Sequence, residues 1–181
     1  AEGGGQVGDT GVLELNERVV VRVNDTRKEA GAYVHMGQVE NGLIAVGDLV
    51  RAQVDAPARR RIQAHHSATH LLQAALKQVV KVGEISQAGS LVDADRLRFD
   101  FHCPRAVTQD ELSQVEALIN SWIDAAYDTV IESMPINKKK KKGAIAMFGE
   151  KYGTEVRVVD VPGVSMELCG GTHVVNTADI G

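Results

Sequence analysis

Two pairs of metal-ligand side chains, His66 with His70 and Cys169 with His173, stand in distant parts of this chain and constrain its fold more than any other feature. His66 and His70 are four residues apart inside a segment from Arg61 to Val80, where Ala68, Leu72, Ala75 or Leu76, and Val79 recur at three- and four-residue steps. That period is helical. It stacks the two imidazoles on one face, one turn apart, within reach of a single ion. The alternative is a pair of ordinary helix histidines. Cys169 and His173 are also four apart, across Gly170 and Gly171. Glycines let a loop fold tightly enough for thiolate and imidazole to converge without a helix. The alternative here is a buried cysteine near a loop histidine. Taken together, three imidazoles and one thiolate form a borderline-soft set suited to one tetrahedral Zn²⁺. One ion bound by both pairs requires a fold that carries a helix and a remote loop to the same point.

Whether such a site is structural or catalytic stays open at this level. Four protein ligands close a tetrahedron, which argues for a structural role. Structural sites usually take more cysteines, however, and Ser67 and Thr69 make the helix turn polar, as beside an open, wet pocket. The helix lacks the glutamate of a His-Glu-x-x-His metalloprotease. His65 points about a quarter-turn from His66 and reads as a surface or supporting residue. Cys103 has no partner at metal spacing and reads as an inert thiol. Glu167 precedes Cys169 by two, so on a strand both face the same side. From there Glu167 could orient a ligand or activate water.

The remaining elements follow from local pattern. Val12 to Leu15, Val19 to Val23, Tyr33 to Val39 and Ile44 to Val54 read as strands of a small antiparallel sheet or barrel. The glycine cluster Gly3 to Gly5 shapes a turn; no Gly-Lys-Ser/Thr follows it, so a phosphate-cradling loop of that type is excluded. Pro57 and Arg59 to Arg61 mark a boundary before the histidine helix. Ile85 to Leu91 and Leu97 to Phe101 read as strands joined at Asp93 to Asp95. Thr108 with Glu111 forms a capping box, followed by the apolar stripe Leu112, Val115, Ile119, Trp122 and Ala126, which reads as core. Thr129 to Glu132, Glu155 to Val161 and Ser165 to Leu168 read as strands, and Lys138 to Met147 as a helix.

Composition sets the outer limits. With 181 residues and 44% hydrophobic, the chain has material for one good-sized domain or two small ones, and at 4% aromatic its core must be mainly Val, Leu, Ile and Ala. A net charge of −4 does not itself suggest nucleic acid, although Arg59 to Arg61 and Lys138 to Lys142 are locally basic. Two cysteines make no disulfide framework, which fits a reducing compartment. No apolar stretch approaches the ~20 residues that cross a membrane, and no signal peptide is visible. The chain opens without Met in a glycine-rich run and stops at Gly181, and is expected to be a piece of a longer polypeptide.

The stretch His66-Ser67-Ala68-Thr69-His70-Leu71-Leu72, with Cys169-Gly170-Gly171-Thr172-His173, resembles the editing domain of alanyl-tRNA synthetase and its free-standing relatives. Gly3-Gly4-Gly5-Gln6-Val7-Gly8-Asp9 resembles the glycine-rich motif of the β-domain that precedes it. Gln87 to Val92 and Arg96 to Phe101 resemble the strands beside the site, and Lys142 to Ala144 with Phe148 to Gly153 resemble the segment before the last strands. The threonyl-tRNA synthetase editing domain shares the metal pattern but matches the glycine-rich start and residues 148–152 less well. The five consecutive lysines at 138–142 depart from the family, which interrupts that region with Glu and Ala.

The resemblance implies an α+β protein. A glycine-rich, β-barrel-like domain at 1–57, truncated at its N-terminus, precedes a zinc-containing editing domain at 58–181 with helices packed on an antiparallel sheet. It implies hydrolysis of mischarged Ser-tRNA(Ala) and Gly-tRNA(Ala), with one Zn²⁺ on His66, His70, Cys169 and His173, and substrate handling at Thr69, Gln87 and Ser90. Glu167 completes the candidate catalytic set. Expected partners are the acceptor end of tRNA(Ala) carrying Ser or Gly and the remaining domains of the synthetase, with no membrane, in the cytoplasm or an organelle interior of similar redox character. The alternatives are a free-standing trans-editing protein, a zinc-stapled tRNA-binding module without turnover, and a zinc hydrolase of small esters or amides.

Overall fold

The computed structural model describes residues 2–135 and 155–181, together with the backbone of Ile145–Ala146. The lysine run at 138–142 and nearly all of the motif at 142–153 lie outside the described residues.

The first sheet contains β1 (Gly11–Leu15), β2 (Arg18–Glu29), β3 (Ala32–Val39) and β4 (Arg51–Val54), all antiparallel in the order β3-β2-β1-β4. Its tight turns at Asn16-Glu17 and Ala30-Gly31 place both central residues at positive φ. That geometry matches the right-handed twist of the flanking strands. The barrel-like expectation resolves into an open sheet: β3 and β4 are its two edges. The strand expected over 44–54 forms only in its last four residues, as β4. Gly42 and Gly47 take φ of 76° and 95°, and the Asp48 carboxylate accepts the Ala45 N–H at 2.7 Å, turning the chain out of the extended path. Leu43, Val46 and Leu49 consequently stand in solvent.

Helix α1 (Ala56–Val79) begins earlier than the Arg61 start read from periodicity. Asp55 caps it by accepting the Ala58 N–H at 3.0 Å, and Pro57 lies in the first turn. There a helix needs no N–H, so proline starts the helix instead of bounding it. The buried face of α1 carries Ile62, His66, Thr69, His70, Leu71, Ala75 and Leu76. Polar metal-type residues and ordinary core residues therefore share one stripe. Helix α2 (Gln109–Asp124) has the expected capping box: Thr108 Oγ1 accepts the Glu111 N–H and Glu111 accepts the Thr108 N–H. It packs on α1 around Ala75, Leu76, Val80, Ile85 and Val115, with Ile119 and Trp122 at the margin. Two members of the expected stripe fall outside this core. Leu112 is 45% exposed, and Ala126 lies beyond the helix end at a φ of 53°.

The hairpin β5 (Ser86–Val92) and β6 (Leu97–His102) lies beside α1 and turns where the Asp93 carboxylate accepts the Asp95 and Arg96 N–H groups, both at 2.8 Å. A second sheet contains β7 (Val130–Pro135), β8 (Ile145–Ala146), β9 (Glu155–Val161) and β10 (Ser165–Leu168) in the order β7-β9-β10-β8. Its pairs are antiparallel except β8 with β10. The helix expected over 138–147 is corrected at Ile145–Ala146, whose backbone is a strand; the rest of that span lies outside the described residues. Met134, Val156, Val158 and Leu168 form a second small core. A 3₁₀ turn, Thr177–Ile180, closes back on both helices, where Thr177 Oγ1 donates to Trp122 O at 2.7 Å. The fold is α+β.

Leu76→Ala is expected to lower unfolding free energy by about 2–5 kcal/mol, because it opens a cavity between the helices. Val46→Ser is expected to change it by less than about 0.5 kcal/mol. Urea unfolding monitored by circular dichroism measures both. A large loss at Val46 would mean that 44–50 is packed after all.

Candidate metal centre

The two ligand pairs meet. His66, His70, Cys169 and His173 are all buried, and one ligand atom from each lies within 4.8 Å of the others. Helix α1 supplies the first two from adjacent turns. The loop leaving β10 supplies the others, brought up by the burial of Leu168 and by Arg157 on β9. The Arg157 guanidinium donates to Cys169 O at 2.9 Å and to Gly171 O, holding the loop by its own backbone. Cys169 Sγ lies 3.3 Å from His66 Nε2 and 3.4 Å from His173 Nε2, and accepts the Gly171 N–H at 3.4 Å. Ring centroids are 4.3 Å apart for His66 and His173, and 4.4 Å for His70 and His173.

The glycine at 171 is required for a reason beyond loop flexibility. A Cβ there would overlap the His66 ring. Any side chain would push apart the helix and the loop that carry the two halves of the site.

Burial sets the charge state of the cluster. Taking an imidazolium out of water is costly, so His66 is lowered to about 4 by burial, with the Arg157 charge adding to the effect. His70 and His173 are lowered well below the usual 6.5, first by burial and then by their neighbours. Neutral imidazoles keep a lone pair each, which is what a cation requires. The fit to a metal ion is also visible in what is left unpaired. Both His70 nitrogens and Glu167 Oε2 are buried without a hydrogen-bond partner among the described residues. A neutral imidazole has one nitrogen lone pair, a buried lone pair without a donor is unfavourable, and a cation at the centre of the four-residue cluster would satisfy that of His70.

Glu167 is 1% exposed, on β10, with Oε2 3.3 Å from His70 Nε2. Burial pushes its carboxyl up to about 8, against the opposing pull of Lys77. With the Gln73 amide nitrogen turned towards it, Gln73 donates to Glu167 Oε1 at 3.0 Å and accepts from Lys77 Nζ at 3.3 Å. Thr69 is buried on α1 and its hydroxyl donates to His65 O at 2.8 Å. Gln87 and Ser90 lie on β5, and Gln87 Oε1 and Ser90 Oγ are buried without hydrogen-bond partners among the described residues. His65, read as a supporting residue, holds Asp93 O through Nδ1 at 2.8 Å. Cys103 packs at the edge of the helix core, away from the cluster.

Three residues at the centre escape the sequence reading. Gln6, from the glycine-rich N-terminal segment, accepts from His66 Nδ1 at 2.7 Å and from the Thr172 N–H at 2.8 Å. Arg157 clamps the loop, and Gln73 holds Glu167. Only Gln6 sits in a recognisable motif, and nothing local in that motif points to a site on a distant helix.

Comparison with known proteins supplies a context for this geometry. The tRNA synthetases class II (A) family profile matches residues 1–58, and the threonyl and alanyl tRNA synthetase second additional domain matches residues 156–181. Over all 181 residues the chain is 67% identical to alanine–tRNA ligase of Synechococcus elongatus, covering 20% of that protein. It is 64% identical over 180 residues, 99% of its length, to the alanine–tRNA ligase of Crocosphaera subtropica, and 64% identical over 184 aligned residues to that of Prochlorococcus marinus, in each case covering 20% of the relative. The chain thus spans one fifth of the length of these relatives.

His66→Ala and Cys169→Ala are each expected to abolish stoichiometric metal retention, read by elemental analysis after gel filtration, whereas Cys103→Ala retains the parent's metal. Full retention by Cys169→Ala would show that the four-residue ligand set is wrong.

Proposed function

This chain belongs to the alanyl-tRNA synthetase family, and from that premise we propose that it carries out post-transfer editing as a part of such a synthetase. The reaction is hydrolysis of the ester that joins serine or glycine to tRNA(Ala). The observation that carries this reading is the buried Glu167 carboxyl against His70, a ligand of the cluster. A purely structural site needs four ligands and nothing more. Here an additional carboxylate oxygen and the unpaired oxygens of Gln87 and Ser90 remain inside the protein.

We assign the ion as Zn²⁺, from the three imidazoles and one thiolate. When bound, zinc supplies Lewis-acid polarisation at the ester carbonyl. The chain's own residues do the rest. In its ionised form Glu167 takes a proton through Oε2 from the water whose oxygen bonds to the ester carbon, and it returns that proton to the ribose oxygen as the ester C–O bond breaks, regenerating the hydroxyl. Gln73 and Lys77 hold the Glu167 carboxyl in place from behind. The products are the free amino acid and uncharged tRNA.

Selectivity for serine over the cognate alanine follows from hydrogen-bond capacity. The Thr69 hydroxyl already gives its proton to His65 O, so towards a substrate it can only accept. Gln87 Oε1 can likewise only accept. A serine hydroxyl donates to such groups, and an alanine methyl leaves them unpaired in a desolvated site, which is what penalises the analogue. The partners of this activity are the acceptor end of tRNA(Ala) and the other domains of the synthetase.

Deacylation of Ser-tRNA(Ala) and Ala-tRNA(Ala), with and without a zinc chelator, tests the reading. Serine is expected to be released in a chelator-sensitive reaction while alanine is spared; a zinc-loaded chain that binds the tRNA and releases neither amino acid is a binding module instead. Thr69→Val is expected to cut the serine-over-alanine preference by about two- to tenfold, the worth of one hydrogen bond. Glu167→Gln is expected to slow serine release by about 10²–10⁴-fold with zinc content unchanged. Parent-level rates in Glu167→Gln would remove Glu167 from the chemistry.

A further inference from the structure

We propose that Gln6 is a positioning residue for the metal centre. It fixes His66 in the tautomer that leaves Nε2 free for the ion, and it locks the Cys169–His173 loop against the histidine helix through the same oxygen atom. The proposal rests on the metal reading of the cluster and concerns a residue outside the ligand set.

The assignment begins with Thr172. Its backbone N–H, 2.8 Å from the Gln6 side chain, can only donate. The Gln6 atom it faces must therefore be the amide oxygen, and an amide oxygen can only accept. His66 Nδ1 lies 2.7 Å from that same oxygen and so must carry the proton. In a neutral imidazole with Nδ1 protonated, the lone pair is on Nε2, and His66 Nε2 is the nitrogen 3.3 Å from Cys169 Sγ. A third donor, Thr172 Oγ1, closes on the oxygen at 3.1 Å. One atom thus ties α1 to the ligand loop, across separations of 60 and 166 residues.

His173 shows why an amide does what a hydroxyl does not. Its Nδ1 meets Ser67 Oγ at 3.1 Å. A hydroxyl can donate or accept there, so Ser67 leaves the tautomer of His173 undetermined. Gln6 leaves no such freedom at His66.

Its backbone is also held. Gly5, at a φ of 83°, lies so close to Ser90 that a Cβ would stand 2.7 Å from Ser90 O. Val92 N donates to Gly5 O at 2.9 Å and Val7 N donates to Val92 O at 3.0 Å, so Gln6 is bracketed on the edge of β5. Three residues on, Asp9 forms a two-pronged ion pair with Arg59 in the first turns of α1. Gln6 is 4% exposed. A buried acceptor on a fixed backbone, aimed at the non-ligating nitrogen of a ligand histidine, is the arrangement that orients metal sites and raises their affinity.

Zinc affinity, measured by competition with a chromophoric chelator, and imidazole tautomers, read by long-range ¹⁵N–¹H correlation, test this on the whole chain. In the zinc-loaded parent, His66 is expected to show a protonated Nδ1 with zinc on Nε2. Gln6→Leu is expected to weaken zinc binding by about 10–100-fold, and Gln6→Glu, which keeps an acceptor oxygen, to restore it. A His66 Nε2–H tautomer in the zinc-loaded parent overturns the proposal without any variant, so it stays testable if Gln6→Leu fails to fold. Parent-like affinity in a folded Gln6→Leu overturns it as well. A parent that binds no zinc defeats the underlying metal reading, and is recognisable as such because it precedes any comparison of variants.

Discussion

Three imidazoles and a thiol are packed together out of water, and the His70 nitrogens among them have no hydrogen-bond partner among the described residues. Protonating the rings would supply donors, but burial and the nearby Arg157 make that unfavourable. A cation at their centre would take up the lone pairs, and much of the surrounding structure keeps the four side chains converging. Helix α1 spends its buried stripe on polar residues where a core helix would carry leucine or valine. Position 171 has room only for glycine. Arg157 spends its guanidinium on two backbone carbonyls of the ligand loop. One hydrophobic core lies between α1 and α2, and a second is formed by Met134, Val156, Val158 and Leu168 of the second sheet.

The N-terminal segment has an unexpected place in this arrangement. It leaves the first sheet and runs along α1, touching it at Arg59 through Asp9 and at His66 through Gln6, two helical turns apart. Of the glycines ahead of Gln6, Gly5 lets the backbone press against Ser90 at a positive φ. The N-terminal segment thereby ties the first sheet to helix α1 and its histidines, and residue 57, the expected boundary, lies in the first turn of that helix.

Features encoded by neighbours in sequence were legible, and features made by distant residues were not. The His66–His70 spacing, the Thr108 capping box and strands β9 and β10 are each specified within a few residues, and each appears where the pattern places it. Pro57 misled because proline signals both ends and beginnings; only the Asp55 cap distinguishes them. The β-rich composition of 44–54 misled because two positive-φ glycines and an Asp48 turn override propensity. The four side chains that cluster were readable as two local pairs. Gln6, Gln73 and Arg157, which aim and hold the site, were not, because their roles exist only once chain segments far apart in sequence have met.

The separation of the two ligand pairs also orders events in time. His66 and Cys169 are 103 residues apart. At about 5–20 residues per second of synthesis, the helix with its two histidines leaves the ribosome some ~5–20 s before the loop that completes the set. During that interval the nascent chain offers an ion only half of its ligands, with Gln6 already made and waiting at the first pair. An ion that needed all four side chains could load only late in the birth of the protein, and the polar face of α1 stays wet until the last strands arrive to cover it.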